Sequence, residues 1–185
     1  GIEPLRQAVA EKYLKEFGLR YGKDEVLVSC GAKHALYNVF QAIINPGDEV
    51  IIPAPYWVSY SDMVLLAGGA PKIILTKEED GFRITAQQLK AALGSKTRAF
   101  VLNSPCNPTG AAYGRGELIE LCKVLEAHDC VIISDDIYEK IVYDDFRFHS
   151  IVSVNPNLRE RTILVNGVSK TYAMTGWRIG YALGP

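Results

Sequence analysis

The chain has 185 residues, of which 48% are hydrophobic and 22% charged, and its formal net charge is −1. These values favour a single globular domain. With no basic run, the chain lacks the charge pattern that binds nucleic acid or an anionic membrane surface. No apolar stretch approaches the ~20 residues that cross a bilayer. The four cysteines form no CxxC pair and the histidines are scattered, so we expect a reduced, cytoplasmic protein without a metal site.

Apolar runs alternate with longer amphipathic stretches along the chain, and Gly and Pro punctuate them. Helices are predicted at residues 4–17, 32–44, 57–66, 85–93 and 116–128. Strands are predicted at residues 25–29, 49–52, 72–75, 97–102, 130–134, 162–165 and 179–183.

Seven strands, most of them separated by helices, predict an α/β fold with three layers, α/β/α. Runs such as 97–102 and 130–134 are almost continuously apolar, which is typical of buried parallel strands. The last two strands are too close in sequence for a helical crossover, so we expect the last one to be antiparallel to its neighbours. The prediction is a seven-stranded, mostly parallel sheet in one domain, residues 1–185.

Polar residues follow five of the predicted strands, and ligands of such sheets bind outside the carboxyl ends of the strands. One binding site is therefore expected at this edge. The polar segments are Gly31-Ala32-Lys33, Tyr56-Trp57, Asn103 to Gly110, Asp135 to Tyr138, and Ser169-Lys170.

Lys170 follows a buried strand, where an ammonium group loses water and its pKa falls. A neutral amine is a nucleophile that reacts with aldehydes. Arg178 lies between Gly176 and Gly180, and a guanidinium group there suits a phosphate. An amine together with a phosphate clamp is what pyridoxal 5'-phosphate (PLP) requires. The alternative is an unrelated surface lysine and arginine.

Gly31-Ala32-Lys33 joins a strand to a helix, and the free N–H groups of a helix N-terminus bind phosphate. The alternative is an ordinary turn. The segment is neither GxGxxG nor GxxxxGK[ST], which disfavours a nicotinamide cofactor and a P-loop nucleotide.

Four further positions would suit a ring-shaped ligand. Trp57 could stack on a ring or simply pack in the core, and Asn107 lies in a proline-stiffened loop, where its amide could donate to a ligand oxygen or serve a turn. Asp135 is a carboxylate after a buried strand and would suit a pyridinium nitrogen. Tyr138 reaches the same side if the segment turns helically. We expect Asp136 to be a solvated helix cap.

These segments resemble the class I/II aminotransferases, the fold-type I PLP enzymes, and among them most closely the bacterial aspartate aminotransferases. The resemblance covers essentially the whole chain. It is carried by residues 29–60, by NSPCNPTG at 103–110, by SDDIYE at 134–139 and by NGVSKTYAMTGWRIGYALGP at 166–185.

The resemblance implies a role for each matching residue. Lys170 forms a Schiff base with PLP and carries the proton between substrate and cofactor. Asp135 pairs with the pyridine nitrogen, Tyr138 and Asn107 bind the ring's 3' oxygen, and Trp57 stacks on the ring. Asn107 and Trp57 also contact substrate. The implied phosphate site comprises Gly31, the amides of Ala32 and Lys33, the Ser169 hydroxyl, and Arg178.

Two departures from the family pattern stand out. Gly167 occupies a position where many relatives carry serine. The family also has an N-terminal arm and a C-terminal small domain with an arginine for the substrate α-carboxylate, and residues 1–185 match only the large domain. The resemblance implies a homodimer, and we expect this chain alone to show weak or absent turnover.

The resemblance implies an aminotransferase acting on aspartate or glutamate and a 2-oxo acid. Aromatic, alanine or other amino-acid specificity stays open, as does elimination or decarboxylation on the same scaffold. A different class of function is a non-catalytic, PLP-sensing domain of a transcription regulator. A nucleotide-binding α/β domain ranks last, because its glycine fingerprint is missing.

Overall fold

Seven strands form one sheet in a computed structural model that describes all 185 residues. The strands are β1 Val26–Ser29, β2 Glu49–Ala54, β3 Ala70–Leu75, β4 Thr97–Asn103, β5 Val131–Asp135, β6 Thr162–Gly167 and β7 Gly180–Leu183.

The spatial order of the strands is β1-β7-β6-β5-β4-β2-β3. Pairing is parallel from β3 through β2, β4 and β5 to β6. β7 is antiparallel to both of its neighbours, β6 and β1. The predicted mostly parallel sheet with an antiparallel last strand is therefore confirmed, and β7 lies inside the sheet with β1 at the edge.

The five predicted helices all form, with ends displaced by up to two residues. The sequence analysis missed a one-turn helix, α6, and the 3-10 turns at Lys23–Glu25, Glu78–Asp80, Pro156–Arg161 and Thr175–Trp177, which are too short to show a period. The helices are α1 Glu3–Phe17, α2 Ala32–Ile43, α3 Ser59–Leu66, α4 Ala86–Ala92, α5 Arg115–Glu126 and α6 Ile151–Val154.

Local chemistry explains several helix ends. Gly18 ends α1 in the left-handed conformation at φ 69°, which costs glycine little. The Thr85 hydroxyl accepts from the Gln88 N–H while the Gln88 side chain accepts from the Thr85 N–H, a capping box that starts α4. α3 begins at Ser59, two residues later than predicted, so Trp57 lies in the turn before the helix.

Side chains of the central strands alternate between two apolar cores, one on each face of the sheet. On one face, Phe100 belongs to a core that also contains Leu121 and the α1 residue Tyr13. On the other face, Val101 belongs to a core that also contains Phe40 and Val64. The central strands thus bury both faces, which is why their sequences are almost continuously apolar. The result is the predicted α/β/α arrangement, with the carboxyl ends of β4, β5 and β6 at one edge.

Candidate active site

A cleft of about 320 Å³ opens at the carboxyl edge of β4, β5 and β6, beside the N-terminus of α2. Every predicted site residue except Gly31 lines it, and Gly31 lies directly behind Arg178. The sequence-predicted lining residues are Ala32, Lys33, Trp57, Asn107, Asp135, Tyr138, Ser169, Lys170 and Arg178.

The N-terminus of α2 and Arg178 form one end of the cleft. Gly31 has φ 87°, and a Cβ atom there would lie 2.4 Å from Nη2 of Arg178. Only glycine therefore lets the guanidinium group lie against this turn. Backbone bonds of the helix begin with the N–H groups of His34 and Ala35, which donate to Gly31 O. The N–H groups of Ala32 and Lys33 thus have no intrahelical acceptor and can receive an anion.

Lys170 stands three residues beyond the end of β6 and lines the cleft with its neighbour Ser169. Its Nζ lies 5.8 Å from the ring centre of Tyr138. The residue is exposed, so the expectation that a buried strand end removes water from this ammonium group is wrong. The strand itself is buried, but the chain emerges from the sheet before it reaches the lysine.

Asp135 is the last residue of β5 and is only 3% exposed. Its Oδ2 accepts a hydrogen bond from the Tyr60 hydroxyl at 2.5 Å. Its Oδ1 accepts one from the Ile137 N–H at 3.2 Å. Burial raises the pKa of Asp135 to about 6, although both hydrogen bonds oppose that rise. A carboxylate that needs a cation is thus placed at the floor of the cleft.

Asp136 does not belong to the cleft, and its expected role as a solvated cap is wrong. The residue is 2% exposed, and its Oδ1 accepts from the Ser134 hydroxyl at 2.7 Å. Burial raises the pKa of Asp136 well above its ordinary value. The preference for Asp135 over Asp136 as the cleft carboxylate agrees with this placement.

Tyr138 lines the cleft together with Asp135, although residues 136–140 form a hydrogen-bonded turn and not a helix. Burial, assisted by the nearby Asp135 charge, raises the pKa of the Tyr138 phenol. Trp57 is half-buried, and the Nζ of Lys33 lies 4.9 Å from its ring centre. The Trp57 ring stands edge-on to Tyr60 at a centroid distance of 5.4 Å, so this aromatic pair forms one wall.

The sequence analysis missed Tyr60 and Asn103 as site residues. The Asn103 Nδ2 donates to the Asp135 carbonyl at 3.0 Å, and its Oδ1 accepts from the Asn107 N–H at 2.9 Å. Asn103 therefore ties the loop after β4 to the end of β5. Its position at a strand end was a usable signal, whereas Tyr60 reads as an ordinary apolar helix residue. The cleft is completed by Leu36, Ile137 and Thr175.

Fold and cleft together define an α/β domain with a primary amine, a buried carboxylate and an anion cradle around one cavity. The anion cradle is formed by the Arg178 guanidinium group and the N–H groups of Ala32 and Lys33. A model of the family described as "Aminotransferase class I and II" matches residues 1–185. The chain belongs to this family.

Curated relatives agree with that assignment. The chain is 56% identical to the aspartate/prephenate aminotransferase of Cereibacter sphaeroides and 49% identical to the aspartate aminotransferase of Geobacillus stearothermophilus. Both alignments cover 100% of this chain but only 46% and 47% of those proteins. The chain thus spans about half the length of the relatives it matches.

Solved structures show the same similarity in three dimensions. The crystal structure of the aspartate aminotransferase from Rhizobium meliloti superposes with a TM-score of 0.98 at 51% identity, covering 100% of this chain and 46% of that one. An aromatic aminotransferase from Pyrococcus horikoshii superposes with a TM-score of 0.96 at 46% identity, covering 100% of this chain and 50% of that one.

The structure contains no helix with the length and apolar character that a membrane span requires. No group of three or more His, Cys, Asp or Glu side chains is placed to hold a metal ion.

Proposed function

We propose that this chain is the large, cofactor-binding domain of a PLP-dependent aminotransferase that exchanges an amino group between aspartate or glutamate and a 2-oxo acid. One observation supports the proposal above the rest. A single cleft brings together Lys170, the buried carboxylate of Asp135 and the anion cradle at Arg178.

The chemistry of the cleft residues fits PLP. Arg178 and the N–H groups of Ala32 and Lys33 would hold the phosphate, and the Cβ-free turn at Gly31 leaves room for the guanidinium group. Asp135 would pair with the pyridine nitrogen, since a buried carboxylate requires a cationic partner. Lys170 supplies a primary amine for the aldehyde.

Bound PLP supplies an aldehyde that condenses with amines and a ring that withdraws electrons from the substrate Cα. The Asp135 carboxylate would hold a proton on the ring nitrogen and so strengthen that withdrawal. The Lys170 Nζ would act as the general base for the proton on the substrate Cα. Tyr138 and Asn107 would donate hydrogen bonds to the ring's 3' oxygen, Asn107 would also contact the substrate carboxylate, and Trp57 would cover the ring face.

The test is an absorbance spectrum of the chain with added PLP, followed by borohydride reduction and peptide mapping. We expect a visible band and a covalent label on Lys170. Lys33→Ala is the matched control, because Lys33 is the other lysine that lines the cleft. The label should persist in Lys33→Ala and vanish in Lys170→Ala. A label on Lys33, or a band unchanged in Lys170→Ala, would contradict the assignment.

The substrate proposal is supported by the names of several relatives, among them the aspartate aminotransferases of Geobacillus stearothermophilus and Rhizobium meliloti. The aromatic aminotransferase among the structural neighbours keeps aromatic amino acids as the alternative. We further propose that the working enzyme is a homodimer. A cytoplasmic location is proposed from its four free cysteines.

A further inference from the structure

Tyr60 is a buried tyrosine whose hydroxyl contacts the cleft carboxylate Asp135. The residue is 1% exposed and lies in the first turn of α3. Its ring belongs to the apolar core between the sheet and α2–α3, a place where phenylalanine would pack equally well. The hydroxyl nevertheless donates to Asp135 Oδ2 at 2.5 Å. Packing alone gives no reason for that hydroxyl.

We propose that Tyr60 is a positioning residue for the cofactor acid: its hydroxyl holds Asp135 as an oriented carboxylate, ready to receive a protonated ring nitrogen. The inference rests on the proposed function of the cleft. It assigns to Tyr60 an effect exerted on the cofactor through Asp135, without direct contact with the reacting atoms.

The physical argument starts from the cost of burial. An aspartate with so little exposure is driven toward its neutral acid form, which could not keep a proton on a pyridine nitrogen. Two donors oppose this, the Ile137 N–H on Oδ1 and the Tyr60 hydroxyl on Oδ2. The Tyr60 bond is the shorter one, and charge-assisted hydrogen bonds are the strong ones.

The geometry also fixes the direction of the carboxylate. The donor to Oδ1 is in the segment just after β5, and the donor to Oδ2 is in α3, so two different segments fix the two oxygens. Each oxygen keeps a second lone pair for a ligand. Cys106, Tyr138 and Asp136 also lie near the pair, and Lys33, Lys170 and Arg178 line the same cleft. The Asp135 carboxylate oxygens accept hydrogen bonds from Tyr60 and Ile137 and from none of these groups.

The test compares Tyr60→Phe with Tyr113→Phe. Tyr113 is the matched control, because it is also a buried tyrosine with a hydroxyl hydrogen bond, from the Ile84 N–H at 2.9 Å, but lies outside the cleft. The first readout uses no cofactor: the Asp135 carboxyl titration is followed by carbon-13 NMR, with Asp135→Asn identifying the signal. We expect the titration to move to higher pH in Tyr60→Phe and to stay unchanged in Tyr113→Phe.

The second readout is PLP affinity at neutral pH. We expect a loss of about tenfold or more in Tyr60→Phe, since a hydrogen bond to a charged group contributes at least that factor. Borohydride should still label Lys170 in this variant. As a variant that retains the hydroxyl, 3-fluorotyrosine at position 60 carries a more acidic donor and should move the Asp135 titration to lower pH.

Each outcome decides between the two proposals. An Asp135 titration that is the same in wild type, Tyr60→Phe and the fluorotyrosine variant overturns the role of Tyr60. A shifted titration with unchanged PLP affinity overturns its link to the cofactor. Failure of wild-type protein to form the Lys170 label overturns the proposed function instead, while the cofactor-free titration still reports on Tyr60.

Discussion

Asp135→Asn should stabilise the cofactor-free chain near neutral pH. Burial raises the pKa of Asp135 from its ordinary value of 3.8 to about 6. The folded state therefore binds this proton more tightly than the unfolded state does. The resulting contribution to the free energy of unfolding is fully present below pH 3.8 and is lost as the pH rises through 6. The free energy lost by pH 7.5 is about 3 kcal/mol. Asparagine has the same shape and no charge, so it should avoid this loss.

The assay is urea unfolding of wild type and Asp135→Asn at several pH values. The free energy of unfolding of wild type, relative to the variant, should fall by about 2 kcal/mol between pH 4.5 and pH 7.5. Asp80→Asn is the control, because Asp80 is exposed, and its difference from wild type should vary little with pH. A difference for Asp135→Asn that is constant with pH, or that grows in the opposite direction, would refute the reasoning.

Two further substitutions test the packing around the site. Lys12→Met should lower the free energy of unfolding by about 3–5 kcal/mol, because Lys12 forms an ion pair with Glu139, whose side chain is 1% exposed and would lose its partner. A loss below about 1 kcal/mol in urea unfolding would contradict this. Gly180→Ala should lower the free energy of unfolding by about 1–3 kcal/mol, because its Cβ would lie 2.1 Å from the Ala32 nitrogen. Gly176→Ala is the matched control, since nothing lies within 4 Å of a Cβ there, and equal thermal shifts in the two variants would count against the close approach.

Much of the fold follows from patterns within short segments. The continuous apolar runs around Phe100 and Ile132 predict buried strands, and Thr85 and Gly18 mark helix ends through their own backbone chemistry. The short link between β6 and β7 predicts antiparallel pairing, because no crossover helix fits in it. The position of β7 between β6 and β1 does not follow, since it depends on pairing between segments distant in the chain.

The candidate site shows the same division. The strand-end rule located the segments that line the cleft, and the resemblance assigned roles that remain predictions for residues such as Ser169 and Trp57. Burial was predicted wrongly for two residues: Lys170 was expected to lose water but is exposed, and Asp136 was expected to be solvated but is buried. Exposure of a side chain depends on which other segments cover it, and local pattern does not contain that information.

From local patterns alone, the sequence predicts the groups of the candidate site: an amine at Lys170, a carboxylate at Asp135 and a guanidinium group at Arg178, each after or between elements whose period can be read locally. The burial and the hydrogen-bond partners of these groups become visible only in the folded chain. Tyr60 and Asp135 are 75 positions apart in the chain and yet share a buried hydrogen bond. Such a contact forms only when the sheet and α3 pack together, because burial and partner choice are properties of the assembled core.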